Sequence, residues 1–318
     1  MKYSERLGNN AVVPVVVIED ANNAVPTAKA LLAGGIDVME ITLRTSAGLD
    51  AIRAVSNEVP EMLVGAGTVL NLEQAKGVAA AGGKFIVSPG FDPELVKWCM
   101  DNDLTVTPGC VTPSEIMSAL KLGVDVIKFF PANVYGGLSA MKGLSAPFGN
   151  VKFIPTGGVD GQNIAEYAAA PYVHTVGGSW VCTKADIAAG NFEKITQLCK
   201  EAVKNAMGFE LAHVGINTES GDAAKAAAEE FGKAFGFAVK DGNSSVFAGS
   251  GIEVMKSMYL GTNGHIAIRT NNVKRAIAYL EKKGFYADME TAKYKGEKMI
   301  AVYLKGEIGG FAIHLLQK

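Results

Sequence analysis

Residues 124–156 read VDVIKFFPANVYGGLSAMKGLSAPFGNVKFIPT. The stretch opens with an apolar, β-branched run, passes through a Pro- and Gly-marked loop into an Ala/Leu-rich segment, and closes with a second apolar run. Continuously apolar runs are typical of parallel strands that are buried on both faces. The stretch therefore predicts one strand–helix–strand unit.

This unit recurs from residue 12 to residue 207. Eight strands with intervening helices predict a small (β/α)8 TIM barrel, an α/β fold. An open doubly wound sheet is the alternative, but no G-x-G-x-x-G follows the first strand, which disfavours a dinucleotide-binding fold. The predicted strands are VVPVVVI (12–18), IDVMEI (36–41), MLVGAGT (62–68), KFIVS (84–88), LTVTP (104–108), VDVIKFF (124–130), KFIPT (152–156) and YVHTVG (172–177).

The pattern changes after residue 207. A strand, FELAHVGIN (209–217), precedes a helical segment, GDAAKAAAEEFGKAFG (221–236), and three short strands follow. GHIAIRT (264–270) and NVKRAIAYLEKKG (272–284) begin the same order again. We therefore expect two domains, residues 1–207 and 208–318, the second an α+β domain of two βαβββ modules. One module alone cannot close its sheet.

The composition excludes several classes of protein. Apolar residues make up 48% of the chain and charged residues 19%, so wholesale disorder is excluded. The 30 basic and 32 acidic residues leave no basic excess for nucleic acid. No apolar run approaches the roughly 20 residues of a membrane span. Four cysteines without a C-x-x-C pair favour a reducing, cytoplasmic setting.

In such a barrel the chemistry lies at the carboxyl ends of the strands. Lys128 is the most informative polar residue there, because alternation places Val126, Lys128 and Phe130 on one face, directed into the barrel. Among apolar groups a lysine favours its neutral amine, which can attack a ketone and form a Schiff base. The alternative is a lysine that extends to the barrel rim.

Glu40 ends the second predicted strand and Arg44 follows in the loop. A buried carboxylate needs either a partner or a chemical task, so Glu40 is a candidate general acid/base. A structural ion pair with a lysine or with Arg44 remains open. The guanidinium of Arg44 has the fork geometry that binds a carboxylate, although a solvated loop charge is the ordinary alternative.

Paired glycines follow the seventh and eighth predicted strands, in Thr156-Gly157-Gly158 and Gly177-Gly178-Ser179. Such pairs let backbone N–H groups approach an anion, and these two loops commonly bind phosphate in this fold. One pair alone could be only a tight turn. Two pairs at neighbouring strand ends favour a phosphate site.

Six segments occur in turn along the chain: VMEITLRT (38–45), GAGTVLN (65–71), SPGF (88–91), IKFFPA (127–132), PTGGV (155–159) and GGSW (177–180). In this combination they resemble the class I 2-dehydro-3-deoxy-phosphogluconate (KDPG)/4-hydroxy-2-oxoglutarate (KHG) aldolase family, over residues 5–205. The resemblance implies that Lys128 is the Schiff-base lysine and Glu40 the proton shuttle, with no cofactor and a homotrimeric assembly. It also implies that Arg44, Thr68 and the backbone near Pro89 bind the pyruvyl carboxylate. Phe130 then packs on the pyruvyl group, Thr156 contacts substrate hydroxyls, and Gly157, Gly158 and Ser179 bind phosphate.

Histidines are concentrated in the last third of the chain. His213 and His265 open the two modules, whereas Glu253 and His314 lie in their last strands. The order resembles the vicinal-oxygen-chelate superfamily, which includes glyoxalase I, and implies one divalent-metal site, although His314 stands where a carboxylate is usual. His and carboxylate ligands suit Zn, Ni, Fe or Mn. The alternative is that the histidines are structural residues of a metal-free module.

We therefore expect a retro-aldol enzyme that acts on a phosphorylated 2-keto sugar acid and releases pyruvate. One rival is a phosphate-binding barrel isomerase or epimerase that uses Glu40 without covalent catalysis. A second rival makes the C-terminal half the working part, as a metal- or ligand-binding module carried by an accessory barrel.

Overall fold

The computed structural model describes residues 3–318. It divides into two compact units, the first ending at Ala206 and the second comprising Met207–Lys318. The division falls one residue before the expected boundary. Each unit is described separately below.

The first unit consists of alternating strands and helices after a short N-terminal helix. The strands are β1 (Val12–Val16), β2 (Val38–Thr42), β3 (Leu63–Gly67), β4 (Phe85–Val87), β5 (Thr105–Thr107), β6 (Val126–Phe129), β7 (Lys152–Pro155) and β8 (Val176–Gly178). The helices are α1 (Ser4–Asn9), α2 (Ala24–Ala33), α3 (Gly48–Glu58), α4 (Leu72–Ala80), α5 (Pro93–Asp101), α6 (Pro113–Lys121), α7 (Gly137–Ser145), α8 (Ile164–Ala169), α9 (Lys184–Ala188) and α10 (Phe192–Met207), whose last residue belongs to the second unit.

The eight strands form a parallel ring. Six lie in the order β5-β4-β3-β2-β1-β8, and β6 pairs with β7. Isolated parallel bridges join the two sheets, Gly109 with Lys128 on one side and Thr156 with Gly177 on the other. The predicted (β/α)8 barrel is therefore confirmed, and its strand ends meet at one rim.

Local sequence determines where several helices begin after the strand-end loops. The side chains of Asn71, Asp92 and Thr112 each accept a hydrogen bond from a backbone N–H in the first turn of the following helix. At Thr112 the carboxylate of Glu115 also accepts from the Thr112 backbone, which completes a capping box. These caps satisfy N–H groups that a helix start leaves unpaired.

The eighth strand differs from its prediction. It covers Val176–Gly178 rather than residues 172–177, because only there does the backbone pair with β1, at Val12, Val13 and Pro14. Gly177 and Gly178 are therefore strand residues and not a loop. The ring of Trp180 and the hydroxyl of Thr156 occupy the space that side chains at these glycines would need.

The second unit carries the two predicted modules on one eight-stranded sheet. The first module is β9 (Glu210–Asn217), α11 (Gly221–Phe235), β10 (Val239–Asp241), β11 (Ser245–Ala248) and β12 (Ile252–Met255). The second is β13 (Gly264–Thr270), α12 (Val273–Glu281), β14 (Ala287–Lys295), β15 (Lys298–Ile308) and β16 (Phe311–Gln317). The strand order is β10-β11-β12-β9-β13-β16-β15-β14, so the antiparallel pair β9–β13 joins the modules at the centre.

No helix among residues 3–318 combines the length and the apolar character that crossing a membrane would require.

Candidate active site

Lys128 on β6 and Glu40 on β2 meet inside the barrel. The Lys128 Nζ lies 3.7 Å from Glu40 Oε1, and the two residues are only 4% and 3% exposed. In the ring, three strands separate β2 from β6 in either direction. Side chains from opposite strands can touch only across the interior, so both point inward, as alternation predicted for Lys128.

Burial determines the protonation chemistry of Glu40. Loss of water raises the pKa of this carboxyl above its ordinary value, and the nearby positive charges of Lys128 and Arg44 partly oppose that rise. Glu40 Oε1 makes no hydrogen bond within the described residues, and its distance to Lys128 exceeds hydrogen-bond length. A carboxylate with a raised pKa and an unused acceptor is suited to proton transfer.

The aromatic and cationic residues expected around the pyruvyl group lie at the same rim. The Phe130 ring centroid is 5.0 Å from Lys128 Nζ. Arg44 Nε donates to the hydroxyl of Thr68 at 3.3 Å, which brings these two residues together as expected. Thr68 has a φ of 58°, a backbone conformation that residues with a side chain rarely adopt.

Pro89 follows β4 and is exposed, with its carbonyl directly beside Gly109. Gly109 in turn bridges to Lys128, which places the Pro89 backbone next to the lysine strand. The arrangement is suited to presenting backbone groups to a ligand held at Lys128.

The predicted phosphate residues lie at the ends of β7 and β8. Thr156 is buried and pairs with Gly177, so the two strand ends are adjacent. Gly157 and Gly158 have φ values of 88° and 80°, which a residue with a side chain would adopt only under strain. Ser179 follows β8 and is exposed. The geometry thus leaves backbone and hydroxyl groups accessible at the rim.

Comparison with known proteins decides the family. Residues 4–198 match the family described as KDPG and KHG aldolase. The chain belongs to this aldolase family.

Relatives of this aldolase are close in sequence. The chain is 44% identical over 200 residues to the 2-dehydro-3-deoxy-phosphogluconate aldolase of Treponema pallidum, covering 63% of this chain and 95% of that protein. It is also 44% identical over 200 residues to the KHG/KDPG aldolase of Escherichia coli K12, covering 63% and 94%.

Solved structures agree with the fold. The KDPG aldolase of Legionella pneumophila, with pyruvate captured as a covalent carbinolamine intermediate, matches with 40% identity and a TM-score of 0.61, covering 63% of this chain and 98% of that one. The enzyme of Zymomonas mobilis ZM4, solved with 3-phosphoglycerate, matches with 43% identity and a TM-score of 0.58, covering 64% and 94%.

The four predicted metal ligands of the second unit also come together. They lie on the four adjacent strands β12, β9, β13 and β16, and strand pairing arranges them in two neighbouring rows. The rows are Glu253–Gly215–His265 and His213–Ala267–His314. In each row a glycine or alanine stands between the two larger residues, which leaves room for the imidazole rings over the sheet.

Three ligand atoms converge closely. Glu253 Oε2 lies 3.0 Å from His213 Nε2 and 3.3 Å from His265 Nε2, and the two histidine nitrogens are 3.1 Å apart. One ring nitrogen of His314 lies within 4.8 Å of the other two imidazoles. Ser245 Oγ donates to the second oxygen of Glu253 at 2.6 Å and so orients the carboxylate.

Burial and close neighbours shift the pKa values of Glu253 and His314. Burial pushes the pKa of Glu253 upward, but hydrogen bonds from His213, His265 and Ser245 outweigh it and hold that pKa well below its ordinary value. Burial, with the neighbouring imidazoles, lowers the pKa of His314 to about 4. The Tyr303 ring stacks on His314, with centroids 4.4 Å apart and planes 7° apart.

Sequence reasoning missed the glycines that make room for these side chains. A Cβ at Gly67 would lie 2.0 Å from Glu40 Oε1, and one at Gly215 would lie 2.0 Å from the His265 ring. A glycine inside an otherwise apolar strand is the signal that could have indicated such a close approach.

Proposed function

We propose that the first unit is a class I aldolase that cleaves KDPG to pyruvate and glyceraldehyde 3-phosphate. We propose the same chemistry for 4-hydroxy-2-oxoglutarate, which yields pyruvate and glyoxylate. The observation that carries the proposal is the buried Lys128 amine beside the Glu40 carboxylate in a member of this aldolase family. A non-covalent isomerase would leave this buried lysine without a task.

The reaction begins when the Lys128 amine attacks the C2 ketone and water leaves as the imine forms. The protonated imine withdraws electrons, so the C3–C4 bond can break once the C4 hydroxyl loses its proton. Glu40 accepts that proton, with a water molecule spanning any gap that remains. Glyceraldehyde 3-phosphate leaves, Glu40 returns a proton to C3 of the enamine, and hydrolysis releases pyruvate and the free amine.

The remaining rim residues position the substrate. The guanidinium of Arg44 and the hydroxyl of Thr68, already joined by a hydrogen bond, support binding of the pyruvyl carboxylate together with the Pro89 backbone. Phe130 covers the pyruvyl group beside Lys128. The other proposed contacts are Thr156 to the substrate hydroxyls and Gly157, Gly158 and Ser179 to the phosphate.

We also propose that this aldolase is a cytoplasmic homotrimer. Val134 and Tyr135, in the loop between β6 and α7, are 71% and 51% exposed and offer apolar surface that another subunit could cover.

All four cysteines are free thiols buried in the first unit, which suits a reducing compartment such as the cytoplasm.

For the second unit, residues 208–318, we propose a separate glyoxalase-like, vicinal-oxygen-chelate domain that binds one divalent metal ion. His213, Glu253, His265 and His314 would hold it. The spacings of 3.0, 3.1 and 3.3 Å among three of their ligand atoms support this, because ligands bonded at about 2.1 Å to one ion lie about 3.0–3.4 Å apart.

The crowding of acceptor atoms in the cluster also fits a cation. Without a shared cation or proton, the lone pairs of His213, His265 and Glu253 would face one another at short range. Three imidazoles and one carboxylate suit Zn, Ni, Fe or Mn, and a bound ion would supply Lewis acidity there.

Replacing Lys128 tests the covalent mechanism. In Lys128→Gln an amide nitrogen replaces the amine and cannot form an imine, so pyruvate release from KDPG should fall to background in a coupled assay. Lys76→Gln, which neutralises an exposed lysine on α4, is the control and should keep full turnover. A Lys128→Gln enzyme that folds and retains a tenth of the normal rate would rule out the mechanism.

Charge at residue 179 tests the phosphate site. Ser179→Asp should lower kcat/KM for KDPG by about fivefold or more, because like charges in contact cost on the order of 1 kcal/mol even in water. The shorter substrate 4-hydroxy-2-oxoglutarate should be affected much less. Ser179→Asn, which matches aspartate in shape but carries no charge, should lower kcat/KM for KDPG much less than Ser179→Asp does. Equal losses for the two substrates would place the phosphate elsewhere.

Metal content tests the second unit. The full chain, incubated with Zn²⁺ or Co²⁺ and then dialysed, should retain about one ion per chain by mass spectrometry, since four ligands suit a closed site. Glu253→Gln should lose most of that metal. Glu229→Gln, which removes an exposed carboxylate from α11, should not. Equal metal retention by the two variants, or none in the unmodified chain, would contradict the proposal.

A further inference from the structure

Gly67, the last residue of β3, lies directly under the Glu40 carboxylate. We propose that Gly67 is a positioning residue for proton transfer: the absence of a side chain at this position lets Glu40 reach the lysine. The inference rests on the proposed function, because it concerns the placement of the proposed proton shuttle.

The steric argument follows from the strand register. Gly67 pairs with Thr42, two residues after Glu40 on β2, so the Glu40 side chain leans along its strand over the glycine. A Cβ at Gly67 would lie 2.0 Å from Glu40 Oε1, 2.7 Å from its Cδ and 2.8 Å from its Cγ. Contact at about 3.5 Å would require the carboxylate oxygen to move by about 1.5 Å.

A side chain at Gly67 would collide with the Glu40 carboxylate and would not strain the backbone. The φ of Gly67 lies outside the left-handed region, so alanine can adopt the same backbone conformation. The three nearest atoms all belong to the Glu40 side chain. Gly65, on the same strand, differs, because a Cβ there would collide with the ring and the carbonyl of Phe85 in the core.

Displacement of Glu40 should affect proton transfer and spare imine formation. The carboxylate now lies 3.7 Å from Lys128 Nζ, and a misplacement of about 1 Å at a reacting group can cost about 10²-fold in rate. The three atoms nearest an added Cβ belong to Glu40 and none to Lys128, so pyruvate should still form its imine. A structural role for Gly67 would instead impair both steps.

Gly67→Ala tests this division in the full chain. We expect kcat for KDPG cleavage, and the exchange of pyruvate C3 protons with deuterated water measured by NMR, to fall by about 10²-fold. The extent of borohydride-trapped pyruvate adduct should stay within about twofold of the unmodified enzyme. Gly143→Ala, at a helical glycine on α7 with no atom within 4 Å of the added Cβ, is the control and should change neither quantity.

Shortening the acid gives the second test, which holds even if Gly67→Ala folds poorly. In a Glu40→Asp background the carboxylate is one methylene shorter, so adding Gly67→Ala should lower the remaining C3 exchange by less than about threefold, far less than the 10²-fold expected beside glutamate. Independent effects of the two substitutions would overturn the proposal, as would normal exchange in Gly67→Ala. If Glu40→Gln itself exchanges normally, the proposed function of Glu40 fails instead.

Discussion

The approach of the Lys128 amine to the Glu40 carboxylate, 3.7 Å apart with both residues buried, is the constraint on which the rest of the first unit depends. Two ionisable groups are costly to bury, and the cost is offset only when they lie beside each other. They come from opposite strands, so the contact requires a closed barrel. Closure in turn depends on the bridges at Gly109 and Thr156, which join the six-stranded and two-stranded sheets.

Much of this could be predicted, because polar residues in continuously apolar strands are conspicuous. Lys128 and Glu40 stood out for that reason, and eight apolar runs sufficed for the barrel. The eighth strand was misplaced because Gly177 and Gly178 have low strand propensity, yet they pair with β1 and leave space for Thr156 and Trp180. Such close approaches depend on register, which composition and periodicity do not specify.

The second unit shows the same limit. The repeated βαβββ order predicts that the histidines and Glu253 lie on matching strands. Because successive side chains of a strand point to opposite faces of the sheet, all four can lie on the same face. The rows in which they alternate with Gly215 and Ala267 arise from the antiparallel pairing of β9 with β13, a contact between modules. The stacking of Tyr303 on His314 likewise depends on pairing between β15 and β16. No local pattern encodes these partners.

The most direct test of the account is to trap pyruvate on the full chain with borohydride and sequence the modified peptide by mass spectrometry. The account predicts one reduced pyruvyl adduct, located on Lys128, because this amine is buried beside Glu40 at the end of β6. An adduct on another lysine, or no adduct from a folded protein at saturating pyruvate, would contradict it.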